Sequence, residues 1–134
     1  MLPNVESRMT PLVLGLVVTC SLLTVTANLM MRYGLLQAGG LTLSAGGVTN
    51  LIVRLARQPT FVVGVLLYGV AAVVWFRVLS LAEVSSSYPV LIGLTFTLVT
   101  IGAILLFKES VSTLKVAGIL VILAGIVLIA KGRA

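Results

Sequence analysis

Of the 134 residues, 60% are hydrophobic and only 9% are charged, whereas a water-soluble domain carries roughly a quarter of charged residues. The net charge of +6 comes from cations at segment ends and in loops, where lipid headgroups are met, and this indicates a membrane protein and not a nucleic-acid-binding one. The chain has no histidine and a single cysteine, which argues against a metal site and excludes an intrachain disulfide.

The length sets the number of membrane spans. One span needs about 20 apolar residues, so the chain holds four with short connections and has no room for a separate soluble domain. We therefore predict an all-α fold, an integral membrane bundle of four transmembrane helices that occupies residues 1–134 as one membrane domain.

The first predicted helix covers residues 11–33. Its apolar run lacks an Ala-x-Ala cleavage motif, so we expect a retained span and not a cleaved signal peptide. Arg32 and Tyr33 close it with a cation and an aromatic ring suited to an interface. Thr24 and Asn28 are four residues apart and share one helical face. Asn28 is the more informative, because a hydroxyl bonds to the preceding turn more easily than an amide does.

Residues 34–59 form the next predicted segment, a loop of lower apolar density. Leu51, Ile52 and Leu55 have a short helical spacing there, which indicates an interfacial turn of helix within a flexible loop. Two roles stay open for the segment, an ordinary connector and an element that gates a substrate.

Three further helices are predicted, over residues 60–82, 88–107 and 113–130. Pro59 precedes the first of them, where its missing N–H costs no hydrogen bond. A tight turn over residues 82–87 leads to the next, which Pro89 opens; Pro89 frees a carbonyl and permits bending. Because the connections are short, these helices should run as antiparallel neighbours.

The cations of the loops are nearly balanced between the two sides of the membrane. Four lie on one side and five on the other: Arg8, Arg77, Lys131 and Arg133 against Arg32, Arg54, Arg57, Lys108 and Lys115. The positive-inside rule therefore sets no orientation. Two alternatives stay open. The chain could insert in both orientations and form an antiparallel dimer, or a partner chain could set its orientation.

No carboxylate falls within a predicted span. Glu6 precedes the first helix, Glu83 lies in a turn, and Glu109, next to Lys108, ends the third helix in a loop or ion-pair role. Proton-coupled export of a cation needs an acid at membrane depth that a proton or the cargo can occupy. The sequence therefore disfavours that activity.

Arg32 and Arg77 lie just inside the ends of two predicted spans. A guanidinium group binds phosphate in a bidentate manner, so arginines that face the bundle favour an anionic, phosphate-bearing ligand. The alternative is that both side chains extend to the lipid headgroups.

Gly118 and Gly125 lie seven residues apart on one face of the last predicted helix. Small residues let helix backbones approach closely in lipid, and dimerisation and packing within the chain explain this spacing equally well. The sequence contains no phosphate-binding glycine loop and no nucleophile–base constellation. We therefore predict no enzymatic activity, no cofactor and no metal.

Four segments together resemble the small multidrug resistance and EamA-like transporters. They are Ala27-Asn-Leu-Met-Met-Arg32, Ser87-Tyr-Pro-Val90, Phe107-Lys-Glu-Ser-Val-Ser112 and Gly118-Ile-Leu-Val-Ile-Leu-Ala-Gly125. Within that superfamily they are most similar to the subunits implicated in flipping undecaprenyl-phosphate-linked aminoarabinose. The resemblance implies a four-helix protomer that works as a dimer in the bacterial inner membrane, with helices one to three around the substrate path.

The resemblance also implies that Gly118 and Gly125 belong to the dimer contact. The drug exporters carry a glutamate in helix one where this sequence has Thr24, and this departure favours a lipid-linked sugar over a drug. A homodimer and a heterodimer with a paralogous chain both stay open.

The leading hypothesis is thus a transporter subunit that moves a polyprenyl-phosphate-linked sugar, or a similar anionic amphipath, across the inner membrane. The two arginines should attract the phosphate, and polar side chains should bind the head. The expected substrate-binding residues are Arg32, Arg77, Asn28, Thr24, Tyr88 and Pro89. The alternatives are a small multidrug or cation–proton antiporter and an accessory membrane subunit of a lipid-dependent glycosyltransferase.

Overall fold

The structure, a computed structural model, describes residues 10–40 and 47–131. These residues form five α-helices: α1 (Pro11–Gln37), α2 (Gly47–Ala56), α3 (Pro59–Leu81), α4 (Val84–Phe107) and α5 (Thr113–Lys131). Glu6, Arg8 and Arg133, which entered the sequence argument, lie outside the described residues.

Helices α1, α3 and α4 are long and apolar enough to cross a membrane. The regular secondary structure of the described residues is all helical, and the chain is a multi-pass membrane protein. The fourth predicted span corresponds to α5, a shorter apolar helix, and its crossing of the bilayer stays a prediction.

Local sequence explains where the first two long helices start. Thr10 caps α1, because its hydroxyl accepts a hydrogen bond from the Val13 amide at 3.3 Å, and Pro11 takes the first helical position. Pro59 does the same for α3. Proline is favoured there because the first amides of a helix have no partner within it.

Helix α1 is the centre of the described bundle. It packs most extensively against α3 and next against α4, whereas α3 and α4 touch each other little. Near one end of this packing, Val13 and Val17 of α1 form a buried cluster with Val78 and Ala82. Helix α5 packs against α4 and α2 packs against α3.

Two glycines allow the close approach of α1 and α3. A Cβ atom added to Gly64 would lie 2.7 Å from Met31 Cγ and 2.9 Å from the carbonyl oxygen of Ala27. A Cβ atom on Gly34 would lie 2.7 Å from the backbone nitrogen of Phe61. Without hydrophobic force between helices in lipid, such backbone proximity is what holds a pair together.

The predicted loop 34–59 contains more helix than expected. Helix α1 runs on to Gln37, and the predicted interfacial turn is a helix of 10 residues, α2. The Arg54 side chain donates from Nη2 to the carbonyl oxygen of Ala38 at 2.6 Å, which ties α2 to the end of α1.

Helix α4 starts at Val84, four residues before the predicted start at residue 88. Glu83 has an extended backbone and its carbonyl oxygen accepts bonds from the amides of Ser86 and Ser87, so the serines predicted as a turn form the first helical turn. Pro89 consequently lies inside α4 and not at its opening. Helices that cross membranes tolerate such a proline.

The α1–α3 contact yields a stability prediction. We expect Gly64→Ala to lower the free energy of unfolding by about 1–3 kcal/mol, because the new methyl group meets the backbone of Ala27 and overpacks the contact. Titration of the detergent-solubilised protein with dodecyl sulfate, followed by circular dichroism, measures this quantity. Gly69→Ala is the matched control on α3, since a Cβ atom there meets nothing within 4 Å. Equal effects of the two substitutions would contradict the role of Gly64.

Candidate functional site

A cavity of about 330 Å³ lies between α1, α3 and α4. We call it the central cavity. It is lined by Cys20, Thr24, Asn28, Tyr68, Ala71, Ala72, Trp75, Tyr88, Leu91, Ile92 and Thr95. It exists because α3 and α4 both pack on α1 but touch each other little.

Each helix contributes one face to the central cavity. On α1 the lining residues are spaced by four, and on α3 and α4 they follow the i, i+3, i+4, i+7 pattern of a single helical stripe. The structure thus brings together Thr24, Asn28 and Tyr88, which the sequence singled out. Tyr68 and Trp75 were missed, because their spacing of seven residues places them on one face of α3 but does not show that this face meets α1.

Two polar side chains in the central cavity retain unused hydrogen-bonding capacity. The Thr95 hydroxyl oxygen is buried and has no hydrogen-bond partner, and the Asn28 amide makes no hydrogen bond to any described side chain or backbone group. By contrast, Thr97 donates to the Gly93 carbonyl at 2.8 Å and Thr100 to that of Phe96 at 2.9 Å. Local bonding therefore explains some hydroxyls of α4 but not Thr95.

Aromatic rings close one end of the central cavity. The ring centroids of Trp75 and Tyr88 lie 5.8 Å apart with a tilt of 55°, a favourable arrangement for an aromatic pair. Pro89, next to Tyr88, is not among the lining residues. Its place in the predicted site therefore depends on the bending of α4 and not on contact.

Arg32 lies outside the central cavity. It forms an ion pair with Glu109, and its Cζ atom lies 4.6 Å from the centroid of the Phe107 ring. Lys108 makes this pair possible, because its left-handed backbone (φ 51°, ψ 38°) ends α4 and directs the chain back toward α1. The pair is partly exposed to solvent, with 46% of the Arg32 side chain and 28% of the Glu109 side chain accessible.

Arg77 is exposed near the opposite end of α3. Its Nη1 atom donates to the Ser80 hydroxyl at 3.4 Å, and that hydroxyl donates to the Arg77 carbonyl at 2.7 Å. Arg32 lies two residues before Gly34 on α1, and Gly34 packs beside Phe61 near the start of α3. Arg77 lies 16 residues after Phe61 on the same helix, which corresponds to roughly 24 Å. One phosphate group therefore cannot contact both arginines.

A second cavity, of about 480 Å³, lies on another face of α1 near Arg32. We call it the rim cavity. It is lined by Thr26, Leu29, Met30, Tyr33, Thr60, Leu106 and Phe107. Because Phe107 also contacts the Arg32 guanidinium, a positive charge adjoins a mostly apolar space, an arrangement that suits an anionic amphipath.

The two glycines of α5 have open surroundings. A Cβ atom added to Gly118 or Gly125 would meet nothing within 4 Å, and no described side chain of α5 is buried. Packing among residues 10–40 and 47–131 thus does not use these glycines, and none of these residues covers their face.

Comparison with known proteins gives related sequences. A protein of Pseudomonas aeruginosa named "Probable 4-amino-4-deoxy-L-arabinose-phosphoundecaprenol flippase subunit ArnE" is 39% identical over 75 residues, 56% of this chain and 64% of the relative. An Erwinia tasmaniensis protein of the same name is 35% identical over 105 residues, 78% of this chain and 91% of the relative. An uncharacterised protein of Sinorhizobium fredii is 30% identical over 117 residues, 87% and 93% of the two chains. No family model and no solved structure matches significantly.

The unpartnered hydroxyl of Thr95 predicts an unusual sign for a stability change. We expect Thr95→Val to raise the free energy of unfolding by about 1 kcal/mol, because it removes a buried polar group that has no partner in the empty protein. Thr97→Val is the matched control, since it removes a satisfied hydroxyl two residues away and should not stabilise. The dodecyl sulfate titration gives both values, and destabilisation by Thr95→Val would refute the assignment.

Proposed function

The chain belongs to the ArnE family of flippase subunits, and we propose that it is a subunit of an inner-membrane transporter that moves a polyprenyl-phosphate-linked sugar across the bilayer. The observation that carries this proposal is the central cavity, where uncharged hydrogen-bonding groups with unused capacity lie between membrane-spanning helices. The names of the relatives from Pseudomonas aeruginosa and Erwinia tasmaniensis support the same substrate class.

The sugar head is proposed to occupy the central cavity during its passage. Asn28 and Thr24 offer an amide and a hydroxyl on α1, and Thr95 and Tyr88 offer hydroxyls on α4. A sugar that leaves water loses hydrogen bonds, and each lost bond is costly unless the protein replaces it. Thr95 and Asn28, which make no hydrogen bond within the described residues, are able to make this replacement without breaking bonds of their own.

The phosphate is proposed to meet a different arginine at each side of the membrane. Arg32 lies at one rim beside the rim cavity, and Arg77 lies near the other end of α3. At the first rim the phosphate exchanges with Glu109 as the partner of Arg32, while the polyprenyl tail stays in lipid or in the rim cavity. Pro89 gives α4 the bend that lets the head pass.

The distribution of carboxylates disfavours a cation–proton antiporter as the function. None of the five helices contains Asp or Glu. Within the described residues the two carboxylates, Glu83 and Glu109, flank α4, and Glu109 pairs with Arg32. An antiporter for cations needs an acid at membrane depth, whereas an anionic amphipath needs cations at the rims.

We further propose that α5 crosses the membrane and pairs with a second protomer, either a copy of this chain or a paralogous chain. The open face at Gly118 and Gly125 supports this assignment, because small residues permit the close helix contact that lipid requires. Large apolar side chains beside that face, such as Val121 and Leu128, are mostly exposed in the isolated chain.

Transport by reconstituted protein tests the proposed function. The protein, with any chain that co-purifies, is placed in vesicles containing undecaprenyl-phosphate-linked aminoarabinose, and a membrane-impermeant amine reagent reads which leaflet holds the head. We expect Asn28→Leu to slow translocation about tenfold, the equivalent of one lost hydrogen bond of ~1.4 kcal/mol. Arg32→Gln and Arg77→Gln should slow it at least as much, because charge-assisted bonds are stronger.

Thr19→Val is the control for this assay, since the Thr19 hydroxyl donates to the Gly15 carbonyl at 2.8 Å and faces neither cavity. Its translocation rate should equal that of the unmodified protein. Unchanged transport in the Asn28 and arginine variants, or proton flux coupled to a cationic drug, would contradict the proposal. A third outcome would favour the alternative of an accessory glycosyltransferase subunit. In that outcome the protein gives no transport in vesicles, and deletion of its gene abolishes a glycosyltransferase activity in the native membrane.

The proposed role of α5 predicts a change of assembly. Gly118→Leu should shift the protein from dimer toward monomer, because the side chain occupies the contact between helices while leaving the protomer undisturbed. Cross-linking in native membranes measures the dimer fraction. Gly69→Leu, at an equally open glycine of α3, should leave that fraction unchanged, and an unaffected dimer in Gly118→Leu would exclude this interface.

A further inference from the structure

Helix α2 has two chemically different faces. Val48, Ile52 and Leu55 lie along one face, and Asn50 and Arg54 lie along the other. The apolar face is largely uncovered by the described protein, since Val48 is 62% exposed and Ile52 is 60% exposed. In a multi-pass membrane protein, such a helix places its apolar face in the boundary between headgroups and acyl chains.

The position of α2 is fixed by its neighbours. Its 10 residues are too few to cross a bilayer, and the bond from Arg54 to the Ala38 carbonyl holds it beside the end of α1. It lies just before the start of α3 in sequence and packs against that helix. Helix α2 therefore lies at the membrane surface where α1 ends and α3 begins.

An apolar cavity of about 330 Å³ lies between α2 and α3, beside their contact. Ile52, Leu55 and Ala56 of α2 line it on one side, and Val62, Val65 and Leu66 of α3 line it on the other. The α3 wall runs from residue 61 to residue 66, about 8 Å along the helix. The cavity thus leads from the surface helix into the hydrocarbon layer, and its volume lies in the range of ordinary ligand sites.

The charge at this end of the bundle is strongly positive. Five cations lie on the loops and helix ends there, namely Arg32, Arg54, Arg57, Lys108 and Lys115, against the single carboxylate Glu109. Glu109 already pairs with Arg32, so the other four cations have no carboxylate partner in the described part of the chain. Arg57 is exposed and directly follows Ala56, one of the residues that line the cavity.

We propose that the cavity between α2 and α3 is a binding site for an anionic phospholipid of the surrounding membrane. One acyl chain fills the cavity, and Arg57 binds the headgroup phosphate, a ligand that suits the guanidinium fork. The neighbouring cations add the general attraction of a basic membrane-proximal surface. This site is separate from the central cavity and does not depend on the transported substrate.

Binding of phosphatidylglycerol and phosphatidylcholine to the full chain in mild detergent tests the proposal by native mass spectrometry. We expect phosphatidylglycerol to bind more tightly, and Arg57→Gln to weaken it about fivefold. Ala56→Trp, which fills the cavity from an exposed position, should weaken long-chain phosphatidylglycerol and spare the dihexanoyl form, whose chains are too short to need the cavity.

Lys115→Gln is the matched control, because it removes one positive charge from the same side of the membrane on a different helix. It should change the affinity less than Arg57→Gln. Equal losses in these two variants would show a diffuse electrostatic effect and would overturn the site. Equal binding of the two phospholipids would also overturn the lipid site. So would dissociation of the dimer in Ala56→Trp, because it would show that a second chain, and not a lipid, occupies the cavity.

Discussion

The close contact between α1 and α3 is the constraint on which the arrangement of the other described helices depends. Water drives helices together in soluble proteins, but lipid surrounds an apolar helix as favourably as another helix does. Gly34 and Gly64 hold α1 and α3 together in lipid because they let the two backbones approach closely. The Cys20 thiol of α1 also donates a hydrogen bond to the Ala71 carbonyl of α3 at 3.3 Å. Because α4 packs on another side of α1, the two flanking helices stay apart and leave the central cavity between them.

The polar groups of this bundle are divided by depth. Hydroxyls and one amide lie between the helices, where a full charge would be costly, and the cations and described carboxylates lie at helix ends. The Arg32–Glu109 pair belongs to the second class and joins the end of α1 to the residue that follows α4. A partly exposed pair contributes little to stability. In the proposed transport, both partners are therefore free to exchange for the charged groups of the ligand.

Sequence spacing was sufficient for the α1 face of the central cavity but not for its other walls. Thr24 and Asn28 share a face by spacing alone, whereas Tyr68 and Trp75 become cavity residues only through the way α3 packs on α1. Glu109 reaches Arg32 after a residue with a left-handed backbone, Lys108. This conformation is uncommon for lysine and is not predicted from the sequence. The sequence did not predict the start of α4 at Val84. Ser and Glu occur both in turns and in the first turn of a helix, so their presence before residue 88 does not distinguish the two.

Helix α5 differs from the other long helices in what covers it. The membrane-spanning helices α1, α3 and α4 each contain buried residues, whereas no described side chain of α5 is buried. Lipid alone would permit large side chains at every exposed position, yet Gly118 and Gly125 keep one stripe flat. A flat stripe on an uncovered helix suits close contact with a second helix, and the proposed pairing of α5 with a second protomer rests on this feature.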